Sequence, residues 1–130
     1  MSETQQLPTT STPTGWRILS FGKDPATAAK VQERLRSMGY RATVHALSND
    51  GPGDARLISA LNENDWDGVT IGGAINGQDP VGFPATDDTT RWFNRILNII
   101  HTRAPRAKIV LVKGPHDVAT AIERELGPNP

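Results

Sequence analysis

The sequence predicts an α/β fold: a three-layer sandwich whose four-stranded parallel sheet, in the order 2-1-3-4, carries helices on both faces. Two observations and one general rule lead there. From Trp16 onward, a short β-prone run, a polar loop with Gly or Pro and a helical period recur four times. Strands that alternate with helices of this length form βαβ units and a parallel sheet. The strand-like runs are short, apolar or β-branched and bounded by turn residues, as strands covered on both faces are. Right-handed crossovers then leave few topologies. Order 2-1-3-4 places the first and fourth helices on one face and the second and third on the other.

The elements follow in order. Arg17–Phe21 is the first strand, and Asp24 before Pro25 reads as an N-cap with proline at the first helical position. The first helix sets Ala28, Val31, Leu35 and Met38 on one stripe and stops at Gly39. The second strand, Arg41–Leu47, alternates more than the others, as a sheet edge does. Gly53 or Asp54 is expected to cap the second helix, which has Ile58 and Leu61 on one stripe and Leu57 beside them. Gly68–Ile71 is the third strand. Thr86, Asp87 and Asp88 open the third and longest helix, where carboxylates complement the helix dipole, and Arg103 complements its far end. The fourth strand is Lys108–Val112. The last helix carries Val118, Ala121, Ile122 and Leu126 and is stopped by Gly127 and Pro128.

A chain of 130 residues suits one domain. That domain is expected over 15–127, with a disordered tail at 1–14 and a short tail at 128–130. The tail at 1–14 is rich in Ser and Thr, and Leu7 is its only large aliphatic after Met1. It has too little apolar surface to offset its ordering entropy and no h-region, so it does not read as a secretory signal, and a cytoplasmic protein is expected. With no Cys there is no disulfide, thiolate nucleophile or Cys-ligated metal. Fourteen basic residues balance 14 acidic ones, which argues against a general nucleic-acid binder. The apolar runs are too short to span a membrane.

In an open doubly wound sheet, ligands bind beyond the carboxyl ends of the strands, where the strand order reverses. Here that point lies between strands one and three. Four loops gather there and supply the candidate ligand-binding residues: Gly22 and Lys23 from the first, and Asn49 from the second. The third supplies Gly72, Gly73, Asn76 and Gln78, and the last Lys113 and His116. The third loop, 72–85, exceeds the usual length of about 2–6 residues, and long irregular loops in compact domains are commonly functional. Lys113 before Gly114-Pro115-His116-Asp117 resembles an anion-binding strand-to-helix turn, although a solvated loop lysine explains it as well.

There is no G-x-G-x-x-G after the first strand, no G-x-x-x-x-G-K-[ST] and no G-x-S-x-G. His45, His101 and His116 have no metal-ligand spacing, and no metal or cofactor is expected. The basic residues between Arg91 and Lys108 read as a solvated face.

From about Trp16 to Leu126 the layout resembles a flavodoxin-like domain, in particular a receiver domain of bacterial response regulators shortened by one βα unit. Receivers carry an acidic pair after strand one and a phosphoacceptor aspartate ending strand three, which together hold Mg²⁺. Here those positions read Ser20-Phe21-Gly22 and Ile71-Gly72-Gly73, and Asp67 lies at the opposite end of strand three. Lys113 followed by Gly114-Pro115 is the one matching element. Without the carboxylates phosphotransfer is disfavoured. Two functions are expected to compete. One is a non-catalytic module binding a protein or a small polar or anionic ligand. The other is a small enzyme using Lys23, Asn76, Gln78, Lys113, His116 or Asp117 on such a substrate. A pocket at this edge with Asn76 and His116 both facing into it favours the enzyme.

The third helix is also expected to supply an association surface through Trp92, Phe93, Ile96 and Ile100. Its apolar arc, with Leu97 and Ile99, exceeds the stripe that packing on one sheet face requires. A two-fold homodimer is the commonest closed arrangement. The competing reading has Phe83 and the long loop folding over the surplus.

Overall fold

Short β-branched and aliphatic runs pair side by side because every strand finds its sheet neighbours across a helical crossover. In a computed structural model that describes residues 14–130, these are β1 (Arg17–Gly22), β2 (Arg41–Ala46), β3 (Gly68–Ile71) and β4 (Lys108–Leu111). All pairings are parallel and the order is β2-β1-β3-β4, the expected one among the few that right-handed crossovers allow. The helices are α1 (Pro25–Ser37), α2 (Gly51–Leu61), a single turn α3 (Gly73–Asn76), α4 (Asp87–Arg103) and α5 (Val118–Leu126). A 3₁₀ turn, Pro115–Asp117, precedes α5. The expectation for residues 1–13 lies outside the described residues. Among those described, no helix is long and apolar enough to cross a membrane.

Strand alternation divides the interior into two cores. Ile18, Ala42, Val110 and Val112 pack with Leu35 of α1 and with Val118, Ala121 and Ile122 of α5. Their strand neighbours Leu19, Phe21, Val69 and Ile71 pack instead with Leu57 and Leu61 of α2 and Trp92, Ile96 and Ile100 of α4. Adjacent strand residues point to opposite faces, so the two clusters lie on opposite sides of the sheet.

The helix starts follow capping chemistry. Asp24 accepts the Thr27 N–H at 2.8 Å, and Thr86 and Thr89 form a reciprocal capping box at the head of α4. At α2 the cap is Asp50, which accepts the Gly53 N–H at 2.8 Å, and neither Gly53 nor Asp54 fills that role. Pro52 sits in the first turn and moves the start upstream. Asp54 pairs across to Arg95 of α4 at 2.8 Å. The Asp24 and Asp50 carboxyls are held below the usual carboxylate range, chiefly by the hydroxyls of Thr27 and Ser48 respectively.

Several expectations are corrected by packing. Met38 is 47% exposed, because α1 ends at Ser37 and Met38, its C-cap residue, no longer follows the helical stripe that buries Ala28 and Leu35. Ala60, with Leu57 and Leu61, faces the core from α2, and Ile58 is half-buried. Of the proposed contact residues, Trp92, Ile96 and Ile100 are buried in the core, and Phe93 packs partly buried against it. The wide apolar arc is used inside the molecule because α4 leans on α2 and α3 as well as the sheet. The long loop thus covers part of the arc through α3, whose Ile75 lies in the same core, while Phe83 remains 45% exposed. At the other end, Asn129 accepts the Trp16 N–H at 2.8 Å and the Trp16 indole donates to the Gly127 carbonyl at 3.3 Å. The last residues are thereby tied to the start of β1.

Candidate functional site

The site grows from two strands with the same local pattern, a hydroxyl residue, an aliphatic or aromatic residue and a glycine. These are Ser20-Phe21-Gly22 in β1 and Thr70-Ile71-Gly72 at the end of β3. Parallel pairing sets Ser20 beside Thr70, and Gly72 extends the ladder by donating to the Phe21 carbonyl at 2.8 Å. Ser20 and Gly22 share a face by the period of two. A side chain from position 22 would therefore stand above Ser20, and none is there.

The space left is a cavity of about 150 Å³ at the carboxyl edge of the sheet, between β1 and β3, where the strand order reverses. Its walls are mainly apolar: Ala28 and Val31 from α1, Val44 from β2, and Val112, Pro115 and Val118 from the last crossover. Ser20, 4% exposed, contributes a hydroxyl to the lining. Around the mouth stand Lys23, Asp24, Asp79, Phe83 and Lys113. Charge there is balanced, two ammonium groups against two carboxylates. The Lys23 ammonium lies 5.5 Å from the Phe83 ring centre and 5.9 Å from that of Trp92, a cation–π arrangement. Asp24 caps α1, and Asp79 accepts the Gly82 N–H at 3.1 Å.

The fold brings together Gly22, Lys23, Gly72, Gly73 and Lys113 of the expected site residues, all of which line the cavity. Asn49, Asn76, Gln78 and His116 do not line it. Asn49 donates to Asp88 at the head of α4 and accepts from Arg95 of the same helix. His116 packs its ring over Gly114. Gln78 is exposed and donates its backbone N–H to Asn76 Oδ1 at 2.8 Å. Asp117, a candidate for the enzyme reading, accepts the Lys113 N–H at 3.0 Å. Asp67 lies just before β3 and accepts the Arg17 N–H at 2.8 Å, at the edge opposite the cavity.

Asn76 has a different task. Its amide nitrogen donates to the Ile71 carbonyl at 2.8 Å and to the Val112 carbonyl at 2.9 Å. It thus holds the ends of β3 and β4 at a fixed spacing. Asn76→Ala is expected to cost about 2–3 kcal/mol, since it removes three hydrogen bonds and leaves carbonyls unserved. Urea denaturation checks this, and a loss under 0.5 kcal/mol would show that the clamp is dispensable.

Comparison with family models, curated proteins and solved structures finds no match to this chain. The residues missed from the sequence are its walls and Ser20. A signal for them existed in the paired hydroxyl-x-Gly triplets ending β1 and β3, which parallel pairing was bound to align.

Proposed function

We propose that this chain is a non-catalytic binding module that holds a small, mainly apolar ligand at the carboxyl edge of its sheet. The observation that carries the reading is the apolar cavity of about 150 Å³ between β1 and β3. An apolar cavity of about this volume takes up a benzene-sized ring. This reading replaces the expected polar or anionic ligand with an apolar one, because the walls are mainly apolar and the two lysines at the mouth are matched by Asp24 and Asp79. Asn76 and His116 do not converge on the space, and Asn76 and Asp117 are committed to backbone groups. This favours binding over the enzyme alternative. The layout shared with receivers stops short of their chemistry, since Gly72 and Gly73 follow β3 where a phosphoacceptor would stand.

Benzene as a probe, followed by amide chemical shifts, tests the proposal. Shifts are expected in Ser20–Lys23, Gly72–Ala74 and Val112–Val118. No saturable shifts, or shifts confined to the opposite edge around Tyr40, Trp66 and Ala107, would reject it.

A further inference from the structure

On the same face of the sheet, the row Val44, Ser20, Thr70, Val110 runs across all four strands. It contains two hydroxyls between two valines. Ser20 Oγ and Thr70 Oγ1 are hydrogen-bonded to each other, and among the described residues neither has a second side-chain or backbone partner. Two hydroxyl protons therefore share one bond, and one proton must point elsewhere. Thr70 is fully buried and flanked on its other side by Val110, which offers no acceptor. If Ser20 donated to Thr70, the Thr70 proton would be stranded in the core, which is costly. With Thr70 donating, the Ser20 proton is left over, and Ser20 lines the cavity.

We infer that Ser20 is the hydrogen-bond donor of the cavity, its proton left free because it accepts from Thr70, and that the ligand is an apolar molecule presenting an acceptor atom to it. The inference rests on the proposed binding role of this cavity and names the class of ligand it selects. The Ser20 hydroxyl serves an acceptor in an otherwise apolar surround, where a bond to a mismatched ring is lost without replacement by water.

Benzene and pyridine form the test pair, since they share a shape and differ at one acceptor nitrogen. Their dissociation constants are measured by chemical-shift titration, at a pH where pyridine is neutral. Four proteins are compared: the unsubstituted chain, Ser20→Ala, Thr70→Val and the double variant Ser20→Ala/Thr70→Val. The double variant contains no orphaned hydroxyl and keeps the comparison sound if Ser20→Ala alone folds poorly. Thr70→Val retains the Ser20 proton, so pyridine is expected to bind it within about twofold of the unsubstituted chain. From Thr70→Val to the double variant, pyridine should weaken about five- to tenfold, the size of one net hydrogen bond. Benzene should not weaken. Equal changes for both rings, or loss of pyridine binding in Thr70→Val alone, would overturn the donor assignment while leaving the cavity reading in place. Failure of both rings to bind the unsubstituted chain would overturn the two together.

Discussion

Gly22→Val is expected to abolish benzene binding while leaving the fold intact. A Cβ built at position 22 meets no atom within 4 Å, and its φ is not in the left-handed region. Valine is favoured in strands, and replacing glycine where the backbone conformation is compatible reduces the entropy of the unfolded chain. Stability should therefore hold within about 1 kcal/mol, or rise slightly. The same three carbons stand above Ser20 and occupy the space a ring would need. Interiors do not tolerate such overlap, so affinity should fall by at least about tenfold, equivalent to about 1.4 kcal/mol. Melting temperature and benzene titration on one sample check both halves. Retained binding in a folded Gly22→Val protein would mean that the ring sits elsewhere.

Gly73→Ala is expected to be the most damaging single methyl in the site. A Cβ at Gly73 would lie 2.0 Å from the Lys113 carbonyl oxygen and 2.8 Å from its carbon. Both sides of this contact are backbone, so no rotamer change relieves it. The α3 turn must move away from the end of β4, which also disturbs the Asn76 clamp between the Ile71 and Val112 carbonyls. Overpacking of this kind costs about 1–3 kcal/mol and occasionally more, and with the clamp disturbed about 3 kcal/mol is expected here. In a domain of this size that lowers the melting temperature by roughly 10 °C. Gly51→Ala is the matched control, because a Cβ there meets nothing within 4 Å at the head of α2. Alanine at 51 should be neutral or stabilising by up to about 1 kcal/mol. A Gly73→Ala protein as stable as Gly51→Ala would show that α3 is not seated on β4.

Much of the architecture was legible because it depends on local signals that repeat. Glycine, proline and capping residues punctuate the helices, and Asp24-Pro25 and Thr86 stand where the sequence places them. Crossover handedness, which acts within each βαβ unit, left few strand orders, and the observed β2-β1-β3-β4 is one of them. The cap of α2 was misplaced by several residues, because Asp50, Gly53 and Asp54 are all plausible caps by type. Only the start of the helix at Gly51 selects among them.

The candidate site was legible at the level of loops and not of side chains. Gly22, Lys23, Gly72, Gly73 and Lys113 line the cavity because topology alone brings their loops to one edge. Asn76 looked like a ligand contact from its place in a glycine-rich loop. Its amide instead serves two carbonyls from separate strands, one of them 36 residues away. The third helix shows the same limit. Its apolar arc was read against one neighbour, the sheet, and proved to face three.

The sequence by itself determined the elements, their parallel order and the edge at which a site would form, since periodicity, turn chemistry and chirality act over a few residues at a time. Tertiary structure alone decided which polar groups are spent on backbone partners, and which face of α4 is covered. It also set a serine and a threonine from strands 50 residues apart side by side beneath an unfilled glycine position. Those outcomes depend on distances between segments remote in sequence, and such distances exist only once the sheet has closed.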